Sequence, residues 1–183
     1  MKQTRKTKYT QAVLKDSLIK LMRQKPISKI TIKELCEHAD INRTTFYAHY
    51  ADQHQLLKSI EDETLAWVKE TIAGFSGKTG KEDFLQNIEK VFEYLIANRN
   101  HIQVLMSEQG DIGFQRDLLV VIYEQCGVWL VNDMALAKSE LYFVFLVNGS
   151  VGLIQHWLKN GLKETAGEMS ELIYSMSIHN RGN

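Results

Sequence analysis

Residues 31–50 read TIKELCEHADINRTTFYAHY, and this stretch decides the fold. It holds two short helical patterns with a brief break between them. Thr31 and Glu34 form the S/T-x-x-E capping box that opens a helix. Ile32, Leu35, Cys36 and Ala39 then recur at helical spacing and predict a core-facing stripe. Asp40 tolerates the left-handed backbone of a tight turn. Ile41 returns to the core, and Asn42 is a good N-cap for a second helix. On that helix Phe46 and Tyr50, four apart, point inward. Arg43, Thr44, Tyr47 and, further round, His49 stay on the outer side, with Thr45 near the edge.

Helix, tight turn and helix around a small apolar interior make a helix-turn-helix. The outer side of its second helix suits DNA. It offers one cation, short hydroxyls that reach phosphates or base edges, and a phenol and an imidazole as further donors. No Asp or Glu lies between Ile41 and Ala51 to repel phosphate. A helical hairpin with an ordinary polar surface carries the same pattern, so the motif alone leaves that alternative open.

TFYAHY after a capped turn, followed by an acidic start at Asp52 and the pair Leu56–Leu57, resembles the tetracycline-repressor-like (TetR/AcrR) family. The resemblance is strongest from Thr10 to Ile60. Beyond that it rests on helical layout and on the segment from Gly149 to Gly161. It implies an all-α protein of about nine helices, with a small helix-turn-helix module and a larger helical body. Residues 1–52 would be the three-helix DNA-binding domain, and 53–183 the ligand-binding and dimerisation domain. The implied function is a DNA-binding transcriptional regulator of the repressor type. It would bind a palindromic operator as a homodimer and be released by a small-molecule effector. On this resemblance Asn42 opens the recognition helix at the DNA. Arg43, Thr44 and Thr45 reach bases, Tyr47 and His49 mainly phosphates, and Lys33 the backbone. Two positions depart from the family pattern. Asp40 stands where a Gly is usual, and Gln53 where a Lys often contacts phosphate, which weakens that contact.

The charge distribution points the same way. The chain has 183 residues and no net charge. Residues 1–60 hold 12 Lys or Arg against 5 Asp or Glu, whereas residues 61–183 hold 10 against 17. A basic end on an acidic body fits a nucleic-acid-binding head. The single proline, Pro26, suits a mostly helical chain, because proline breaks helix interiors. No run of eighteen apolar residues predicts a membrane span, and the basic start lacks the apolar stretch of a signal peptide. Cys36 and Cys126 are too few for a disulfide framework and read as reduced core residues of a cytoplasmic protein.

Along the chain, Met1–Lys8 reads as a flexible basic arm, and the first helix as Thr10–Gln24 with Leu14, Leu18 and Leu21 on its core stripe. Asp52 is a suitable N-cap for a long fourth helix reaching Gly74. That helix carries Leu56, Leu57 and Ile60 and then Leu65, Val68 and Ile72, so it belongs to both domains. Gly74–Lys81, GFSGKTGK, reads as a loop. Its GKT lacks the Walker A glycine, since Ile72 occupies that position. Helices are expected over Glu82–Ala97, His101–Ser107, Phe114–Met134 and Glu140–Asn160. The last of these is apolar almost all round and should be buried on every side. Gly161 ends it, Thr165 and Glu168 cap a final helix, and His179–Asn183 should fray.

Phe92, Leu95, His101, Met106, Tyr123, Cys126, Trp129 and Trp157 are the candidates to line a site for a small apolar or aromatic effector. The same residue types at helical spacing also make a plain core. Phe145, Gly149, Gly152, Trp157, Met169, Leu172, Ile173 and Met176 are the candidate dimer interface. Gly149 and Gly152 cost helix stability, about 1 kcal/mol each, which suggests close helix approach. No cofactor or metal is expected. No His has Glu three residues before it, and neither HExxH nor Gly-x-Ser-x-Gly occurs. The alternative reading is a helical adaptor acting through a protein partner, with an enzyme as a remote third.

Overall fold

The computed structural model describes residues 5–73, 81–107, 110–118, 120–121 and 136–178, and among these every regular element is helical. In chain order these are α1 (Arg5–Met22), a 3-10 turn (Ile27–Lys29), α2 (Ile32–Ala39), α3 (Arg43–Tyr47), α4 (Gln53–Ala73) and α5 (Lys81–Ala97). They continue with α6 (Arg99–Leu105), α7 (Leu136–Lys159) and α8 (Ala166–Ile178). Residues 112–118 and 120–121 are helical as well. The all-α expectation holds.

The largest shift of boundary is at the start. The helix begins at Arg5, so Arg5, Lys6 and Lys8 are helical rather than part of an arm. Most of this first stretch is exposed, so no apolar stripe marks it, while Arg and Lys are good helix formers. Most of the expected loop 74–81, the later part of the helix expected over Phe114–Met134, and His179–Asn183 lie outside the described residues.

The chain divides into two compact units. The first comprises Met1–Thr64 and Asn100–Phe114. Its core takes Leu14, Leu18, Leu21 and Met22 from α1, Ile30 from the connection, and Leu35, Cys36 and Ala39 from α2. Phe46 and Tyr50 follow, then Leu56, Leu57 and Ile60 from α4, and Ile102, Leu105 and Phe114. Each fully buried Leu, Ile or Phe contributes about 1.5–3 kcal/mol through removal of apolar surface from water. Polar contacts fix the later segment to α1: His101 Nε2 lies 3.0 Å from Asp16 Oδ1, and Arg23 donates to Asn100 at 3.3 Å. Lys15 pairs with Glu63 of α4. The unit therefore runs through the first half of α4, beyond the boundary suggested after residue 52.

The second unit comprises Leu65–Arg99 and Gln115–Asn183. Among the described elements here, α5 packs most extensively on α8. Phe92 and Leu95 of α5, Trp157 and Leu158 of α7, and Met169 and Ile173 of α8 are buried. Gly161 adopts φ +90° and Leu162 φ 56°, and the Leu162 N–H closes on the Trp157 carbonyl at 3.1 Å. This is the glycine-led stop expected of α7. Thr165 and Glu168 then form a complete capping box: the Thr165 N–H donates to the Glu168 carboxylate, and the Glu168 N–H to the Thr165 hydroxyl.

The expectation of burial on every side of α7 is not met within one chain. Leu141 is 73% exposed and Phe145 74%, and Val144, Gly149 and Gly152 are also exposed. Among the described residues of α7, Trp157 and Leu158 near its end are the buried ones. The segment Glu140–Lys159 is also long and apolar enough to cross a membrane by length and composition.

Candidate nucleic-acid interface

The turn that presents α3 is built by backbone hydrogen bonds. Thr31 caps α2 by accepting from the Glu34 N–H at 3.2 Å. Lys25 grips the Glu34 carboxylate at 2.6 and 2.7 Å. The Lys25 ammonium first, and with it the Thr31 backbone N–H, hold the Glu34 carboxyl below the usual carboxylate range. At the other end of α2, Asp40 sits in the left-handed region at φ 52°, ψ 44°. Its N–H reaches the Glu37 carbonyl at 3.3 Å, and the Ile41 N–H reaches Cys36 at 3.0 Å. That pair of bonds is a Schellman motif, and Asp, a short polar residue, adopts the required φ at modest cost. Asn42 then caps α3 by accepting from the Thr45 N–H at 2.7 Å.

Phe46 is fully buried and Tyr50 nearly so, their ring centroids 6.0 Å apart. The inward pair therefore fixes the rotation of α3. Arg43, Thr44 and Tyr47 are left exposed, Tyr47 to 57%, while Thr45 and His49 are half-buried at the edges. Lys33 lies exposed on α2, 3.8 Å from Glu37 one turn on. The result is an acid-free outer side with one guanidinium, two hydroxyls, a phenol and an imidazole. Such a set can donate to phosphates and, through Arg43, bidentately to a guanine edge. Burial pushes the Cys36 thiol up, so it remains protonated and serves as a small apolar core residue.

The candidate effector residues separate. Phe92 and Trp157 meet edge to face, centroids 5.3 Å apart, with Leu95 also buried in the second unit. His101 and Met106 belong to the first unit, where His101 is engaged by Asp16. Tyr123, Cys126 and Trp129 lie outside the described residues. Of the candidate interface residues, Phe145, Gly149, Gly152 and Met176 are exposed and Leu172 is half-buried. Trp157, Met169 and Ile173 are buried in their own chain, and the Trp157 Nε1–H donates to the Glu164 carbonyl at 3.1 Å. Their apolar spacing was a true core signal, and spacing cannot tell an internal neighbour from an external one. Among the described residues no cluster of His, Cys, Asp or Glu is arranged to hold a metal ion.

Sequence reading missed a groove of about 620 Å3 in the second unit, lined by Trp67, Glu70 and Thr71 of α4 and Lys90, Glu93, Tyr94 and Ala97 of α5. Trp67 and Tyr94 stack there face to face, 3.8 Å apart and 9° from parallel. Each helix shows i, i+3, i+4 spacing, but a pairing across two helices leaves no signature in either.

Residues 82–179, more than half of the chain, match the family profile of a transcriptional regulator C-terminal region of the TetR type. No curated protein sequence matches. Among solved structures, the fold is similar to a TetR transcriptional regulator from Streptococcus agalactiae 2603V, with 18% identity over 94% of this chain and 96% of that one, and a TM-score of 0.66. It is also similar to the dihydroxyacetone kinase operon activator DhaS, with 17% identity over 93% and 95% of the two chains, and a TM-score of 0.61.

Proposed function

Since this chain belongs to the TetR family of transcriptional regulators, we propose that it binds a palindromic DNA operator as a homodimer, through the outer side of α3. The observation that carries the reading is the acid-free outer side of α3, held in one rotation by Phe46 and Tyr50. Arg43, Thr44 and Thr45 read bases. Asn42, Tyr47 and His49 contact the strand backbone, as does Lys33 from α2. Residues 1–52 carry the DNA-contacting elements of the first unit, and the body supplies dimerisation and effector binding. The protein acts in the cytoplasm.

The dimer reading is supported by α7. Leu141, Val144 and Phe145 leave an apolar face in water that a single soluble chain would be expected to cover. Gly149 and Gly152 lie on α7 with open space around them, so a second helix can approach closely. A two-fold axis there makes a self-complementary contact with Met176 and Leu172 at its margin. The same axis would set two α3 helices about 34–36 Å apart, one DNA turn. This reading also accounts for the apolar length of α7 without a bilayer.

Repression follows from occupying an operator and so excluding other proteins. The fold is shared with an operon activator, DhaS, and a promoter-reporter assay with and without the protein fixes the sign. Release by an effector is supported by α4, which is continuous from Gln53 to Ala73 while contributing residues to both units. The effector must bind one arrangement better than the other.

Gel shifts with genomic fragments test the proposal. The wild type should retard a small subset of fragments, with affinity falling steeply as salt rises. Arg43→Ala should cost about 1–3 kcal/mol and relax preference at one base position. Lys33→Ala should weaken all sequences alike. Unchanged affinity and base preference in Arg43→Ala would falsify the docking on α3.

A further inference from the structure

The corner where α3 gives way to α4 has a finely divided charge. From Ile41 to Leu57 the sequence holds one permanent cation, Arg43, one acid, Asp52, and two imidazoles, His49 and His54. Arg43 offsets Asp52 while both imidazoles are neutral, and each proton taken up adds a full positive charge. The corner is held in place by its backbone. The His49 N–H donates to the Phe46 carbonyl at 2.9 Å. Gln55 accepts from the Ala51 N–H through its side chain and donates its own N–H to Asp52 Oδ1 at 2.8 Å. His49 is half-buried and tilted against Tyr50, ring centroids 6.3 Å apart, and His54 is exposed on the first turn of α4.

The other charges of this unit are largely offset. Lys33 of α2 stands 3.8 Å from Glu37, and Lys58, one turn beyond His54, stands 3.2 Å from Asp62. His38 of α2 lies towards Glu34, which Lys25 already grips. On α1, Lys15 pairs with Glu63, and Asp16 lies 3.0 Å from His101. The positive charge that this corner can bring to phosphate beyond Arg43 is therefore the charge of its two imidazoles.

We propose that DNA binding by this chain takes up protons at His49 and His54, so that acid tightens its hold on DNA and alkali loosens it. Imidazole is the side chain whose ordinary titration falls between about pH 5 and 8. A phosphate beside it favours the charged form, so the proton is held more tightly in the complex than in the free protein. The gain in affinity is full in acid, where both forms hold the proton, and lost in alkali, where neither does. Each proton also lets the chain neutralise a further phosphate, which steepens the salt dependence as pH falls. The inference deepens the DNA-binding reading given above and rests on it.

The test uses the full chain, a genomic fragment that it retards, and a mixed-sequence duplex at low salt. Affinities are measured by fluorescence anisotropy at pH 6, 7 and 8 and constant ionic strength. The wild type should bind both DNAs about tenfold more tightly at pH 6 than at pH 8. Its log–log salt slope should be steeper at pH 6 by about 1–2. His49→Gln combined with His54→Gln should remove both effects, and His54→Gln alone should leave a pH effect of about threefold. His54→Lys, whose cation is permanent, should raise affinity at pH 8 and leave it unchanged at pH 6. Circular dichroism checks the fold, and the two His54 variants, at an exposed position, decide the matter if the double variant loses helicity. The inference is overturned by equal affinity at pH 6 and pH 8, by a pH effect that survives intact in the double variant, or by its loss in His101→Gln instead. DNA binding without a pH effect removes this inference and keeps the DNA-binding reading, whereas no DNA binding at any pH removes both.

Discussion

Two phenylalanines show how differently the two units use apolar surface. Phe46 on α3 is fully buried, whereas Phe145 on α7 is 74% exposed. The first completes a core that its own chain closes within a few turns. The second sits on a face that nothing in the described chain covers. The turn unit explains itself locally, whereas the exposed apolar residues of α7 are explained by the second chain proposed above. An apolar pattern predicts that a residue seeks burial, and it leaves open against what.

Replacing each ring by a smaller or charged group should separate the two cases most sharply. Phe46→Ala should destabilise the first unit by about 3–5 kcal/mol through transfer and cavity costs, and with it abolish operator binding. Thermal unfolding followed by circular dichroism would show an early transition for that unit. Phe145→Glu should leave the unfolding profile of the single chain nearly unchanged and lower the association state instead. A drop in helicity as large as that of Phe46→Ala would erase the contrast.

Gly152→Arg sharpens the same comparison. An added Cβ at Gly152 meets nothing within 4 Å, and Arg is a better helix former than Gly by about 0.5–1 kcal/mol. The variant should be as helical as wild type, elute as a monomer and lose operator affinity.

The turn unit was legible in detail because each signal in it is local. Thr31 and Asn42 each cap a helix through a backbone N–H three residues on, and Asp40 takes a positive φ in the turn between. Such geometry is written within four or five residues. The family match, by contrast, falls on residues 82–179, where short motifs are least specific. Trp157, Met169 and Ile173 have the spacing of buried residues, and their burial is internal. The Trp67–Tyr94 stack joins residues 27 apart in sequence, so neither helix announces it. Arg5, Lys6 and Lys8 carry no helical signal in the sequence, because an exposed helix start has no apolar period.

Smaller effects test the turn itself. Asn42→Ala removes the acceptor for the Thr45 N–H and should cost about 0.5–2 kcal/mol of stability, read by urea unfolding. Asp40→Gly should be tolerated or slightly stabilising because Gly favours positive φ, while a β-branched residue there should destabilise. The smallest effect is that of pH on the Lys25–Glu34 pair. Glu34 has a lowered carboxyl pKa in the folded chain. Its contribution is therefore full above the unfolded carboxylate pKa and lost as pH falls through the lower folded value. Lys25→Ala should flatten the acid limb of the stability curve slightly, and an identical acid limb in both proteins would show that the pair adds nothing.

The most direct measurement is sedimentation equilibrium of the wild type at micromolar concentration, with operator binding assayed on the same preparation. A two-fold pairing through α7 predicts a species of twice 21.1 kDa that binds operator, and a Gly152→Arg protein that sediments as a monomer and does not. A wild type that sediments as a monomer while binding operator at full strength would contradict it.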